Sequence, residues 1–348
     1  MARRPLRAYL ILALFLGVCV AFFVRQHKPI FPPPTQDQPS AAVTNDNKLI
    51  RAMQQNFSIV LVVAKMTHES VTWIARDLPG LHTAIYEADG NDLPMNKGNE
   101  AMTYLTYIID HYAHLPDIAI FSHAHKAAWH NPMFLDQGSA AALIRRLNGV
   151  RVEREGYVNL RCDWEPGCPV WIDDDPHQAG PAEDETTNFR KAWAEIHPNS
   201  KMPTAMGQAC CAQFAVSGYR IRATPLERWE QYRSWLINTE LSSYMSGRVF
   251  EHMWQYLFTG EGVWCPDVSS CYCDGFGVCF GSADKMRDWV AEGERLKTMM
   301  DEYLIAMASS PGDETDKMRV AIDGLERSLK ARLDEAIREG DRYMTWRL

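Results

Sequence analysis

At 348 residues, 46% hydrophobic and 23% charged, the chain is long enough to bury one large core or two smaller ones. A formal charge of −8 and a pI near 5.8, with no basic stripe interleaved with aromatics, exclude a polyanion-binding surface, so no nucleic acid is expected as a partner.

Residues 1–7 form a short tail carrying Arg3, Arg4 and Arg7, and residues 8–24 carry no charge. As a helix this run spans roughly 26 Å, at the short end for a bilayer crossing. The basic tail favours a cytoplasmic N-terminus and a lumenal body. A cleaved signal peptide has the same charged start and apolar centre. However, Phe22, Phe23, Val24 and Arg25 follow Ala21 and leave no small-x-small cleavage site, so an uncleaved anchor is expected. Residues 25–55 are rich in Pro, Ser, Asn and Gln and read as an extended stem. Tail, span, stem and body make the layout of a single-pass type II membrane protein, expected in the Golgi or another secretory lumen. Asn56-Phe57-Ser58 is a glycosylation sequon abutting the first strand.

The body is expected over residues 56–281 and a C-terminal helical hairpin over 282–348. Residues 58–64 are a buried strand, the apolar face of Val71, Ile74 and Leu78 gives a short helix, and residues 82–86 give a second strand. Apolar positions Ala101, Tyr104, Leu105, Ile108, Ile109 and Tyr112 recur at helical period. Residues 118–121 are short, apolar and β-branched, as in a strand covered on both faces. This alternation predicts an α/β domain with a mainly parallel sheet flanked by helices. Further on, residues 138–147 predict a helix, 150–160 a strand pair or long loop, 162–203 mostly loop, 211–216 a strand, and 225–238 and 247–258 helices. Residues 283–308 and 313–343 predict two amphipathic helices, the second with the stripe Met318, Leu325, Leu329, Leu333 and Ile337. Apart from Cys19 in the apolar run, eight cysteines remain: Cys162, Cys168, Cys210, Cys211, Cys265, Cys271, Cys273 and Cys279. Their even number in a lumenal body predicts disulfides of open connectivity. Zinc held by residues 265–279 is the alternative, although their spacing matches no common zinc pattern.

Three segments carry a resemblance: VVAKMTHESVTWI, then LPMNKGNEAMTYLTYIIDHYAHLPDIAIFSHAH, then QFAVSGYRIRA followed by GRVFEHMWQYLF. Together they resemble a largely fungal family of uncharacterised proteins, a domain of unknown function, over roughly residues 58–281. More distantly, the chain is similar to GT-A glycosyltransferases, which act on nucleotide sugars and have a Rossmann-like fold. Val62-Val63-Ala64-Lys65 with Thr67-His68-Glu69 matches their first strand and nucleotide-contacting segment. Asn96-Lys97-Gly98-Asn99 matches their turn into a helix. Where those enzymes end the next strand in a metal-binding Asp-x-Asp, this chain has His123-Ala124-His125. Imidazoles suit zinc, copper or iron better than manganese or magnesium. The resemblance therefore implies a site with a divalent metal (Mn or Zn), a metal-free site, or one using another acidic group.

Each candidate residue also has a structural reading. His123 and His125 alternate on a strand end and so face one ligand, unless they are ordinary hydrogen-bonded loop histidines. Asn96, Gly98, Asn99 and Glu100 open a helix whose N–H groups favour a phosphate, with Lys97 beside it, or they simply cap that helix. Glu69 contacts the nucleotide or faces solvent. Glu251, beside His252 on a helix, serves as general base to an acceptor hydroxyl or is an exposed helix residue. Gln213 hydrogen-bonds a sugar or is a strand residue. Trp129, Trp164 and Trp171 form a sugar-stacking platform or pack in the core. Asp173-Asp174-Asp175 reads as a solvated loop. The leading expectation is a glycosyltransferase-like enzyme with a nucleotide sugar and a glycan acceptor as partners. The alternatives are a His-x-His metal-dependent hydrolase, completed by His130 and Asp136, and a non-catalytic lumenal binding or scaffold module.

Overall fold

The computed structural model describes residues 57–173, 183–309 and 311–345. The predicted apolar span at 8–24, the stem, Asn56, Asp174 and Asp175 lie outside the described residues. Among those described, no helix is long and apolar enough to cross a membrane.

A five-stranded sheet carries the body: β1 (Ile59–Lys65), β2 (His82–Glu87), β3 (Ile118–His123), β4 (Tyr157–Asn159) and β7 (Phe214–Ser217), in the order β2-β1-β3-β7-β4. β1 pairs in parallel with β2 and β3, while β7 is antiparallel to both β3 and β4. The sheet is therefore mixed, which corrects the expectation of a mainly parallel one. The cause is local. Beyond β4 the chain stays at the carboxyl end of the sheet: Arg161 Nη1 donates to the His130 carbonyl at 2.7 Å, and Asn159 Nδ2 to the Ala209 carbonyl at 2.6 Å. The chain is thus at that end when the next strand of this sheet begins, and β7 runs down, antiparallel to β4. Within that excursion, β5 (Ile172–Asp173) and β6 (Ala205–Gln208) form a second sheet, completed by β8 (Val263–Trp264) from later in the chain.

Alternate strand residues serve opposite faces of the sheet. Leu61, Val63, Ile118 and Ile120 join one core, and Val62, Ala119 and Phe121 the other. Around them lie α1 (Thr72–Asp77), α2 (Glu100–Asp110), α3 (Ala140–Arg145), α4 (Gly149–Glu155), α5 (Glu183–Ile196), α6 (Gly218–Arg222), α7 (Leu226–Asn238), α8 (Ser243–Thr259) and α9 (Val268–Phe276). The α2 stripe buries Tyr104, Leu105 and Ile108 against α7, α8 and the sheet. The C-terminal helices α10 (Ala283–Ser309) and α11 (Asp313–Thr345) form the predicted pair. Met286, Trp289, Leu296, Leu329 and Leu333 of this pair enter the first core, so it packs on the body. The Trp289 indole donates to the Leu329 carbonyl at 2.9 Å across the two helices.

Four disulfides settle the connectivity left open by the sequence: Cys162–Cys271, Cys168–Cys265, Cys273–Cys279 and the adjacent pair Cys210–Cys211.

Candidate functional site

The order β2-β1-β3 places a topological switch between β1 and β3. After β1 the chain crosses to one side, and after β3 to the other. Ligands of open α/β sheets bind beyond the carboxyl ends of strands at such a point. A cavity of about 330 Å³ lies there. Lys65, Met66 and Glu69 line it from the end of β1, Asn96, Asn99 and Glu100 from the entry to α2, and His123, Ala124 and His125 from the end of β3. Six of the residues singled out in the sequence thus meet in one place.

Glu69 folds back so that its carboxylate accepts the Met66 N–H at 2.7 Å, while its other oxygen lies 3.2 Å from His125 Nε2. The His-Ala-His end of β3 is fixed from both sides. The Trp73 indole donates to the Ala124 carbonyl at 2.8 Å. Gln213 Oε1 accepts from Ser122 Oγ at 2.9 Å and from the His123 N–H at 3.2 Å, and its amide donates to Asn131 Oδ1 at 2.9 Å. Gln213 therefore lies beneath the cavity and is absent from its lining.

Glu100 is the first residue of α2 and half-buried in the cavity wall. Burial, reinforced by the Glu251 carboxylate, pushes its pKa up to about 8. Glu251 does not line the cavity. Its carboxylate accepts the Cys211 N–H at 2.8 Å and pairs with Arg248, whose guanidinium stacks over Trp171 at 4.5 Å and also pairs with Glu185. Burial alone would raise Glu185, but its bonds to His252 and Arg248 hold it at about 2. Beside the cavity, burial lowers His123 to about 3 and His130 to about 4, with neighbouring positive charge adding to both. Both rings are neutral at neutral pH, and each buries an Nε2 atom without a hydrogen-bond partner.

Two residues of the predicted phosphate turn do other work. Lys97 donates to the carbonyls of Ile237 and Thr239 at the end of α7. Gly98 has φ +73°, and a Cβ there would lie 2.6 Å from Leu236. Its role is close packing. The sequence reading missed Arg248, although its three-residue spacing from Glu251 places the two on one face of a helix. It also missed Asn131 and Arg161, which carry no local pattern.

The His123 and His125 ring centroids lie 6.3 Å apart with planes at 82°, and His125 is engaged by Glu69. Among the described residues, no group of three or more His, Cys, Asp or Glu side chains is placed to hold a metal ion. This pair does not make a closed metal centre. Neither a curated protein nor a solved structure matches the chain. The family described as "Protein of unknown function (DUF3431)" matches residues 61–274, more than half of the length, and the chain belongs to that family.

Proposed function

We propose that the chain is a glycosyltransferase-like enzyme of the secretory lumen, anchored by residues 8–24, that moves a sugar from a nucleotide donor to a hydroxyl of a glycan. One observation carries this reading: Glu69, Asn96, Asn99, Glu100, His123 and His125 converge on a cavity at the topological switch of the sheet.

The donor diphosphate sits at the start of α2, where free N–H groups and the helix dipole favour an anion. A carboxyl at that point would ordinarily repel phosphate. With its pKa near 8, Glu100 is protonated at neutral pH and donates a hydrogen bond instead. Glu69, steadied by His125, accepts the proton of the acceptor hydroxyl. The acceptor oxygen bonds to the sugar's anomeric carbon as the bond from that carbon to the phosphate oxygen breaks, releasing nucleoside diphosphate from a UDP or GDP sugar, or nucleoside monophosphate from a CMP sugar. Glu251, the base expected from the sequence, supports this arrangement by keeping Glu100 protonated.

The test is thermal shift of the full chain with UDP, GDP and CMP sugars. A ligand at about 100 times its dissociation constant adds about 2.7 kcal/mol of stability. One nucleotide class should stabilise the wild type, and Glu100→Ala, which removes the hydrogen-bond donor to phosphate, should shrink that shift. Stabilisation by no nucleotide sugar, or an undiminished shift in the variant, contradicts the reading.

A further inference from the structure

Trp129 stands in the loop after β3 with 58% of its surface exposed. A large aromatic on a mobile loop would fold down and bury itself, but this loop is locked. The Asn131 N–H donates to the Ala128 carbonyl at 3.1 Å, the Ala128 N–H to the Gly138 carbonyl at 3.3 Å, and Asn131 Nδ2 to that same carbonyl at 2.9 Å. Gly138, at φ +78°, permits the approach, since a Cβ there would meet the Ala128 oxygen at 2.8 Å. The Arg161 guanidinium lies 5.4 Å from the centre of the indole and is itself fixed by the carbonyls of His130 and Glu165. The Trp129 ring contacts His130 at 5.5 Å, and His130 contacts His123 of the cavity at 5.2 Å. A rigid, solvent-facing indole thus continues the cavity lining outward.

Its position relative to the cavity is informative. Arg161 follows β4, so Trp129 lies toward the β7–β4 side of the sheet, whereas the start of α2 and Glu69 lie toward β1 and β2. If the donor phosphate occupies the α2 start, the indole is on the opposite side of the reacting centre. A pyranose ring has an apolar C–H face that packs flat on an indole, leaving its rim of hydroxyls for the surrounding polar groups.

We infer that Trp129 is the platform of an acceptor subsite, on which a pyranose ring of the acceptor stacks beside the cavity. This rests on the proposed glycosyl-transfer reading and adds the acceptor's chemical class and seat. A nucleobase could also stack on an indole, so the test separates the two.

The full chain, labelled with 5-fluorotryptophan, is titrated with methyl pyranosides and disaccharides of glucose, galactose, mannose and N-acetylglucosamine. Separate titrations use UDP, GDP and CMP. Trp129→Phe identifies the Trp129 ¹⁹F resonance by its disappearance. The expected result is a Trp129 shift with at least one saccharide and none with nucleotide alone. Trp129→Gln should weaken saccharide binding at least tenfold, Trp129→Phe by only a few-fold, and Trp164→Gln not at all. Nucleotide-sugar stabilisation should be unchanged in Trp129→Gln, which separates this subsite from the donor site. The inference is overturned by the absence of saccharide binding to the wild type, by equal binding to Trp129→Gln, or by a Trp129 shift with nucleotide alone. Loss of donor stabilisation in the wild type would instead remove the glycosyl-transfer reading itself.

Discussion

Glu100 shows how one side chain's surroundings set its chemistry. A carboxyl with an ordinary value of 4.5 is pushed to about 8 by burial and by Glu251. Between those two pH values the folded state holds a proton that the unfolded chain has released, so stability falls as pH rises across that window. Glu100→Gln removes the dependence. Urea denaturation at pH 5 and pH 8 should show the wild type falling by a few kcal/mol relative to the variant across that interval, and parallel behaviour of the two proteins would contradict the assignment. His123 and His130 act in the opposite sense. Their folded values of about 3 and about 4 lie below the ordinary 6.5. The unfolded chain therefore binds protons first as pH drops, and stability falls from about pH 6.5 downward. Arg248 ties the site to its support. Arg248→Ala leaves Glu185 and Glu251 without their shared cation in a mostly buried setting, at a cost of about 3 kcal/mol in chemical denaturation. Since Arg248 also lowers Glu100, the same variant should titrate Glu100 higher still, readable by carboxyl NMR.

At the scale of elements, two glycines let α7 and α8 pack against the entry to α2. A Cβ on Gly247 would lie 2.8 Å from Asn99 Nδ2, and one on Gly98 would lie 2.6 Å from Leu236. Gly98→Ala should cost about 2–3 kcal/mol, because its positive φ and its lack of space both oppose a side chain. An unchanged denaturation midpoint would show that this packing tolerates a side chain. The elements that the sequence revealed are those whose burial is written in local period. The α2 stripe, the apolar β1 and β3, and the long amphipathic α10 and α11 were legible for that reason. The reversed β7 was not, because its direction follows from where residues 160–213 return to the sheet and no local pattern records that path. The region read as strand pair or loop at 150–160 holds α4 and then β4, with Gly156 at φ +79° ending the helix. Likewise, Gln213 read as a sugar contact because its amide chemistry fits one, and only the folded chain shows that amide spent on Ser122, His123 and Asn131.

At the scale of the whole molecule, long-range covalent links tie the region after β4 to the segment around α9. Cys162–Cys271 and Cys168–Cys265 close loops of 109 and 97 residues in sequence separation. Removing the first with Cys162→Ala and Cys271→Ala together should lower stability by about 2–5 kcal/mol in denaturant titration. A loss within error would mean that the helices and sheet carry this region unaided. The convergence of Glu69, Asn96, Asn99, Glu100 and the His-Ala-His triplet was foreseeable from their places at strand ends and a helix start. The division of labour among the carboxyls was not, since it depends on Glu251 reaching Glu100 from α8, about 150 residues away in the sequence. Sugar transfer in this cavity is proposed to run through Glu69 and Glu100. The most direct measurement is release of free nucleotide from UDP, GDP and CMP sugars by the full chain with a mixed glycan acceptor, compared with Glu69→Gln. Acceptor-dependent release from one nucleotide class is expected, reduced at least 100-fold in the variant while its melting temperature holds within a few degrees. Absence of release from any donor, or undiminished release in Glu69→Gln, would contradict it.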